Sequence, residues 1–185
     1  MNNFTQIKMP KLDTALALND LAANSDLFQQ ITIRQLFIGS DHKDTETIYL
    51  RGPRGFTPEQ YMTPGESVNY SQNISALNSV AELIDACTDA LSAQDLGHVL
   101  VVKLKAGGVV TEHIDEGAYA DHYKRFHLVL STNDGCTMKS GDETMHMAAG
   151  NLYLFNHKLP HSFTNAGDTD RIHVIFDCIP GVRVK

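Results

Sequence analysis

The sequence lacks the features that mark membrane proteins and nucleic-acid-binding proteins. No apolar run approaches the roughly 18 residues that a membrane-spanning helix needs. Basic residues are outnumbered, since 15 Lys and Arg face 22 Asp and Glu and give a formal net charge of −7. Such a balance argues against sequence-independent binding to nucleic acid, which requires a basic face. We therefore expect neither membrane association nor direct nucleic-acid binding.

Cysteine is also scarce. The three cysteines, Cys87, Cys136 and Cys178, are odd in number and widely spaced, so we interpret them as reduced, buried thiols. The N-terminus shows no basic segment followed by an apolar stretch and a small-residue cleavage site, which is the pattern of a secretory signal. Together these observations predict a cytoplasmic protein.

What the sequence does contain is a mixed first half and a strand-rich second half. Its 185 residues, 42% of them hydrophobic, are enough for one domain with a buried core. We predict a single domain over 1–185, with a mixed α/β part at 1–97 and a strand-rich core at 98–179.

The first part contains two predicted strands and one predicted helix. The segment 31–38, ITIRQLFI, alternates like a half-buried strand, and ETIYLRG predicts a second strand. Apolar residues then recur at three- and four-residue steps from Ile74 to Cys87. This spacing predicts one amphipathic helix that packs on a sheet, with Ser71 or Asn73 as its N-cap.

From His98 onward the pattern changes to short strands separated by turns. Eight β-type runs follow one another: HVLVVKL, GVVTEH, RFHLVLS, CTMKS, ETMHM, NLYLF, HSFTN and RIHVIFDC. Short strands at this spacing indicate a sandwich or small barrel and not a parallel sheet. The turn SGDE between two of them is typical of a tight hairpin.

A candidate metal site begins with His113 and Asp115. Alternate residues of a strand point to one face and lie about 7 Å apart along the chain, so this imidazole and carboxylate can converge on one ion. An H-x-D triplet alone is a weak signal, and a solvated strand end is the alternative. His161, which opens the run HSFTN, supplies a third candidate ligand if two strand ends of a barrel face each other.

Two histidines and one carboxylate leave metal positions open for a co-substrate and O₂, as in non-haem Fe(II) enzymes, although similar sets hold Zn²⁺. Arg171 favours Fe(II). We expect its strand to fold back on the preceding one, so that Arg171 lies opposite Thr164 or Asn165 and on the order of 10 Å from His161. A guanidinium there can clamp a carboxylate, and 2-oxoglutarate carries a metal-chelating end and a distant carboxylate. A salt bridge at the rim is the alternative.

Arg125 and His127 share one face of the run RFHLVLS, with Phe126 on the other. If the face of Phe126 is turned to the core together with Leu128 and Leu130, the pair points into the barrel or out to water. Turned inward, Arg125 and His127 could hold the metal end of the co-substrate. Turned outward, they would be a solvated polar face.

Further candidates for substrate binding flank this core. Tyr119, His122 and Tyr123 follow the predicted metal-binding strand, where they could contact a substrate or belong to a mobile polar lid. Arg51, in YLRGPRG, is a candidate for binding a substrate carboxylate. His157 is expected to be exposed.

Residues from about 98 to 179 resemble the aspartyl/asparaginyl β-hydroxylase family of Fe(II)/2-oxoglutarate-dependent oxygenases, and the small phage and bacterial members most. The matching segments are GGVVTEHIDEGAY, RFHLVLS, GDETMHMAAGNLYLFN, HSFTNAG and DRIHVIFD, of which the last four, in this order and spacing, are the specific part. Animal members carry a glycine at the position of Asp115. This chain resembles the bacterial members in having a complete set of ligands.

The resemblance implies a mostly β fold with N-terminal α elements: a double-stranded β-helix, or cupin-like jelly roll, with helices packed on one face. It implies Fe(II), 2-oxoglutarate and O₂ as cofactors and co-substrates, with His113, Asp115 and His161 as iron ligands. The co-substrate residues it implies are Arg171 for the distal carboxylate, and Arg125 and His127 for the metal end.

The activity implied is hydroxylation of an unactivated C–H bond in an amino-acid-like substrate, either a free amino acid or a side chain of a peptide or protein, with succinate and CO₂ as products. Two alternatives use the same fold. A cupin-type enzyme or Zn²⁺ hydrolase would share the metal ligands but have no need of Arg171 and Arg125 as carboxylate clamps. A non-catalytic binding module would be expected to have lost part of the ligand set, which is intact here.

Overall fold

The alternating pattern of the second half is realised as strands throughout. The computed structural model describes residues 3–36, 41–182 and 184, and each of the eight predicted runs forms a strand, β4 to β11. The strands are β1 Phe4–Gln6, β2 Thr45–Pro53, β3 Ser67–Asn69, β4 Asp95–Leu104, β5 Val109–His113, β6 Lys124–Ser131, β7 Cys136–Ser140, β8 Glu143–Met145, β9 Leu152–Phe155, β10 His161–Asn165 and β11 Arg171–Ile179. The helices are α1 Ala15–Ala23, α2 Ile33–Leu36, α3 Pro58–Met62, α4 Ser71–Ala76, α5 Asn78–Leu91 and α6 Ala118–His122, with a 3₁₀-helix at Ser25–Gln29.

The strands form two antiparallel sheets. The larger has the order β1-β9-β6-β11-β4-β2-β3, and the smaller has the order β5-β10-β7-β8. A buried cluster that includes Leu104 and Val129 from the larger sheet and Val110, Met138 and Phe163 from the smaller one lies between them. This arrangement confirms the predicted jelly roll, and it encloses the inward faces of β6, β10 and β11.

Helices cover the outer face of the larger sheet. Phe126 and Leu128 of β6 point to that face and pack in one cluster with Val80, Ile84 and Leu91 of α5. Along β6 these outward apolar side chains alternate with inward-pointing side chains that are also buried, so both faces of the strand are buried. Helices on one face of the jelly roll are therefore confirmed.

Two predictions for the first half need correction. The helix predicted from Ile74 to Cys87 is interrupted at Leu77, which separates α4 from α5. Neither predicted cap acts as one: α4 begins at Ser71 without a side-chain cap, and Asn73 is buried and donates its amide to the carbonyl of Tyr49 in β2. The Asn73 side chain therefore forms a hydrogen bond to a neighbouring strand and does not cap its own helix.

The strand predicted at 31–38 is also wrong where the structure describes it. Residues Ile33–Leu36 form the short helix α2, and residues 37 and 38 lie outside the described residues. A few alternating apolar residues also fit one helical turn. Here the edge next to β2 is taken by β3, so Ile31 packs on Tyr49 and Leu100 without joining the sheet.

The tight hairpin predicted at SGDE is confirmed. Ser140 of β7 pairs with Glu143 of β8, and Gly141 in the turn has φ +58°, a value that glycine adopts without steric cost. The three cysteines are buried free thiols, as predicted. Among the described residues, no helix has both the length and the apolar character needed to cross a membrane.

Leu128 offers a test of the layer between sheet and helices. Its side chain is fully buried, so Leu128→Ala should lower the free energy of unfolding by about 2–5 kcal/mol, through lost burial and a residual cavity. Leu16→Ala is the matched control because Leu16, on α1, is 66% exposed. Urea denaturation of both variants measures the difference, and equal stabilities would contradict the packing described.

Candidate active site

The antiparallel pairing of β5 with β10 brings two histidines together. His113 and His161 are direct partners in this pairing, and their ring centroids lie 4.3 Å apart. The Asp115 carboxylate oxygens lie 3.8 Å from His113 Nε2 and 3.9 Å from His161 Nε2. One ligand atom from each residue lies within 4.8 Å of the others, a spacing that suits a single metal ion.

Backbone carbonyls orient both rings. His113 Nδ1 lies 2.8 Å from the carbonyl oxygen of Thr111, and His161 Nδ1 lies 2.9 Å from that of Leu159. A carbonyl only accepts, so each Nδ1 carries the proton and donates it, which leaves the Nε2 lone pair toward Asp115. Burial lowers the pKa of His161 to about 4, so this ring is a neutral ligand at neutral pH.

Arg125 holds the third candidate ligand. Its Nη1 donates to Asp115 Oδ2 at 2.5 Å, while Nε and Nη2 donate to the two oxygens of Asp177 at 2.8 and 3.0 Å. Burial would raise the pKa of Asp115, but the Arg125 guanidinium beside it holds that pKa below its ordinary value. Asp115 is therefore ionised and available to a cation.

A second polar group lies deeper between the sheets. His127 is fully buried, with its ring stacked on Phe163 at 5.4 Å and edge-on to Phe155 at 5.0 Å. Its Nδ1 lies 3.2 Å from Nδ1 of His173. The guanidinium of Arg171 in turn lies within hydrogen-bond distance of the His173 ring. Both Arg125 and His127 thus point inward, the first of the two orientations that the alternation left open.

Arg171 is a buried cation without a carboxylate partner among the residues that the structure describes. Its guanidinium contacts His173 at 2.9 and 2.7 Å and lies 4.8 Å above the Phe163 ring. Burial lowers its pKa to about 10, so it stays charged at neutral pH. Burial lowers the pKa of His127 and of His173 well below the usual range, and the nearby positive charge of Arg171 lowers both further. These two rings are neutral and do not share the charge.

The route by which Arg171 reaches the interior differs from the one predicted. Arg171 does not lie opposite Thr164 or Asn165, because β10 and β11 belong to different sheets. It pairs instead with Leu104 of β4. The link between the strands crosses from one sheet to the other, and Arg171 meets Phe163 of β10 face to face across the interior.

The interior suits the expected co-substrate. His127 Nε2 is buried and has no hydrogen-bond partner, and such an atom is expected to be satisfied by a bound molecule or water. The His127 ring adjoins both groups: Phe155 contacts both His127 and His161 edge-on, and His173 lies between His127 and Arg171. An unpartnered ring nitrogen and an uncompensated cation fit a ligand with oxygens at both ends.

Beside Asp115 opens a cavity of about 390 Å³. Tyr119 and Arg125 line it together with residues that the sequence did not single out, among them Arg34, His42 and Tyr61. Its volume is sufficient for an amino acid or a short peptide segment. The cavity adjoins the candidate metal ligand Asp115 and is the candidate substrate site.

Three other candidate substrate residues are not brought to this cavity. Arg51 donates to the carbonyl of Leu96 and to the side chain of Asn69. Tyr123 is buried and donates to Asp95, and His122 is exposed near the same carboxylate. Of the tyrosines and histidines in this segment, Tyr119 is the one placed at the cavity, on the short helix α6.

Several residues of the site escaped the sequence analysis. Asp177 follows Arg171 by six positions on β11, and the same alternation that turned Arg171 and His173 inward could have found it. His157, expected to be exposed, is buried, and its carbonyl accepts the backbone N–H of Asp115. His42, whose ring lies 5.2 Å from that of His113, comes from a loop, where no periodicity could indicate its direction.

Fold and site together define a class of protein, a double-stranded β-helix with a His-Asp-His group that could hold a metal ion at the mouth of its interior. A model of the aspartyl/asparaginyl beta-hydroxylase family matches residues 41–180, most of the chain, and the protein belongs to this family. Membership confirms the resemblance, and it confirms the expected Fe(II), 2-oxoglutarate and O₂ as the cofactors and co-substrates that the family uses.

One curated relative is L-proline cis-4-hydroxylase of Rhizobium meliloti (strain 1021), 26% identical over 136 residues, or 71% of this chain and 46% of the relative. The chain thus spans about half the length of that relative. Among solved structures, the viral collagen prolyl hydroxylase of Paramecium bursaria Chlorella virus-1 aligns over 96% of both chains, with 12% identity and a TM-score of 0.53. A 2OG-Fe(II) oxygenase-family oxidoreductase from Burkholderia pseudomallei covers 72% of this chain and 65% of its own, with 9% identity and a TM-score of 0.52. These two likenesses show the fold.

The metal site can be tested directly. Asp115→Ala and His161→Ala should each weaken Co(II) binding by more than the roughly 10- to 100-fold that loss of an outer-shell partner costs, because each removes a ligand atom. Isothermal titration calorimetry of the metal-free protein measures the affinity. His146→Ala is the control, since this exposed imidazole lies outside the three-ligand group. Unchanged affinity in either ligand variant would contradict the site.

Proposed function

We propose that the protein is an Fe(II)- and 2-oxoglutarate-dependent hydroxylase acting on an unactivated C–H bond of an amino-acid-like substrate. In this proposal His113, Asp115 and His161 hold the metal, and Arg171 with His127 holds the co-substrate. Bound Fe(II) with 2-oxoglutarate and O₂ supplies the oxidising power that converts C–H to C–OH, with succinate and CO₂ released.

The observation that carries the proposal is the uncompensated charge of Arg171. A buried cation costs several kcal/mol unless it is paired, and the described residues provide no carboxylate for it. The cost is recovered when a ligand carboxylate arrives, since a guanidinium binds one in two-point fashion. A Zn²⁺ hydrolase or a cupin-type isomerase would share the metal ligands but has no use for this cation.

The chain's own residues have three tasks in this mechanism. The two imidazoles, fixed by backbone carbonyls, and the ionised Asp115 present a preorganised set of ligand atoms. The aromatic rings of Phe155 and Phe163 exclude water between the metal site and Arg171, which strengthens the electrostatic attraction there. The cavity beside Asp115 would hold the substrate with its C–H bond next to the three proposed metal ligands.

Two substrate classes fit the cavity beside Asp115, a free amino acid and a side chain of a peptide. The curated relative is named an L-proline cis-4-hydroxylase, and the viral structural neighbour is named a collagen prolyl hydroxylase. We propose an amino-acid-like substrate, with proline among the first to be tried in either form.

The role of Arg171 predicts an unusual combination of effects. Arg171→Met should raise the dissociation constant for 2-oxoglutarate about 100-fold or more, because hydrogen bonds to charged groups contribute about 1.5–3 kcal/mol each. Without 2-oxoglutarate the variant should be at least as stable to heat as the parent, since an unpaired buried charge is removed.

Calorimetric titration of 2-oxoglutarate into the protein at saturating Mn(II), with thermal melting alongside, measures both effects. Arg54→Met is the matched control because Arg54 is exposed. Normal 2-oxoglutarate affinity in Arg171→Met would rule out the assigned clamp.

The activity itself is tested in two steps. Under anaerobic conditions, Fe(II) and 2-oxoglutarate should produce the weak visible charge-transfer band of the chelate. Admission of air should then yield succinate, faster with the true substrate in a panel of free amino acids and of peptides containing proline, aspartate or asparagine. Replacing Fe(II) with Zn(II) should abolish both signals. Absence of band and succinate with Fe(II) would overturn the proposal and favour a metal enzyme of another class.

A further inference from the structure

We infer that Arg125, anchored by Asp177, is a positioning residue that holds the Asp115 carboxylate in place for the metal. The family resemblance assigns Arg125 to the co-substrate, beside His127, and the geometry points to a different partner. The inference deepens the proposed function and rests on its metal site.

The guanidinium of Arg125 is already committed to two carboxylates. Two of its nitrogens grip Asp177 in fork fashion at 2.8 and 3.0 Å, and the third donates to Asp115 at 2.5 Å. A planar guanidinium that is fixed on one edge by a bidentate partner presents its remaining nitrogen in a defined direction. That direction is toward a predicted metal ligand.

Asp177 is itself a rigid anchor. It is buried on β11, directly opposite Arg125 in the pairing with β6. Its Oδ2 also accepts the hydroxyl proton of Tyr119, whose oxygen accepts the backbone N–H of His98 at 2.6 Å. A Cβ on Gly97 would lie 2.4 Å from that hydroxyl oxygen, so the chain leaves room for this contact where any side chain would obstruct it.

Asp115 needs such support because it lies outside regular structure. β5 ends at His113, and the backbone N–H of Asp115 is held by the carbonyl of His157. That bond fixes the main chain and leaves the side-chain torsions free. The two histidine ligands have backbone carbonyls to orient their rings, and the equivalent orienting contact for the Asp115 carboxylate is Arg125.

Charge separates the two interior arginines as well. Arg125 faces two carboxylates, which raise its pKa well above the ordinary value although burial would lower it. Arg171 faces none among the described residues. An incoming carboxylate therefore gains most at Arg171, while at Arg125 it would have to displace Asp115 or Asp177.

The experiment separates a positioning role from a clamp. Arg125→Lys keeps the charge but cannot hold both carboxylates, and Asp177→Asn removes the anchor without touching Asp115. Each should weaken Co(II) binding about 10- to 100-fold, the usual cost of losing an outer-shell partner. At saturating Mn(II), their 2-oxoglutarate dissociation constants should stay within about threefold of the parent. Glu46→Gln, an acid-to-amide change in the ion pair with Lys103, is the control, and far-UV circular dichroism checks folding.

A double-mutant cycle adds a readout that a purely structural role would not move. Ni(II) affinity is measured for the parent, for Arg125→Lys, for Asp115→Ala and for the double variant. In the Asp115→Ala background, where the two remaining histidines should still bind Ni(II), Arg125→Lys should cause no further loss of Ni(II) affinity, because its partner is gone. A full, additive loss would overturn the inference.

The remaining outcomes are also decisive. Parent-like Co(II) affinity in both Arg125→Lys and Asp177→Asn would overturn the positioning role. Weakened 2-oxoglutarate binding with unchanged Co(II) affinity would do the same and return Arg125 to the co-substrate. If the parent protein binds no Co(II), the proposed metal site fails, and the inference fails with it.

Discussion

The antiparallel register between β5 and β10 is the constraint on which the site depends. It places His113 directly opposite His161, and each ring is then turned by a carbonyl of its own chain. A slip of one residue would move one imidazole to the outer face of the sheet, because strand side chains alternate. A β-bulge reconciles this pairing with the core: Val110 and His113 are three residues apart on β5, yet they pair with Phe163 and His161, which are two apart on β10. Val110 and Phe163 therefore face the interior cluster while the two histidines still meet. Core packing and ligand placement are thus one requirement.

The same alternation explains why a jelly-roll interior can hold so many polar groups. On β11 the outward side chains Val174 and Phe176 pack under the helices. This apolar contact on one face is sufficient to hold the strand in the core. The inward face is free to carry Arg171, His173 and Asp177. His173 and Asp177 are bonded to arginines within the interior. Arg171 has no carboxylate partner among the described residues, and the Nε2 atom of His127 on β6 is buried without a hydrogen bond, so a ligand can satisfy both groups.

Local pattern predicted more of this molecule than long-range arrangement did. Alternation and turn residues were sufficient for all eight strands of the second half, because both signals are local. The position of Arg171 relative to β10 was wrong because no local signal says which sheet a strand joins. The segment around Arg34 was predicted as a strand but forms a short helix, and His42 lies in a loop. Both residues reach the cavity through tertiary contacts, which local sequence patterns do not reveal.

Two interior arginines of identical chemistry differ only in their surroundings, and that difference divides their work. Strand β11 determines the surroundings of both arginines. It carries Arg171 at one end and, six residues later, Asp177, whose carboxylate balances the charge of Arg125. A guanidinium with its charge matched becomes a fixed part of the scaffold, and one with its charge unmatched becomes a binding site. The family resemblance groups Arg125 with the co-substrate residues from its place in the motif. Counting the carboxylates around each guanidinium distinguishes the two, because a cation that already has its anions contributes geometry, and a cation that lacks them attracts a ligand.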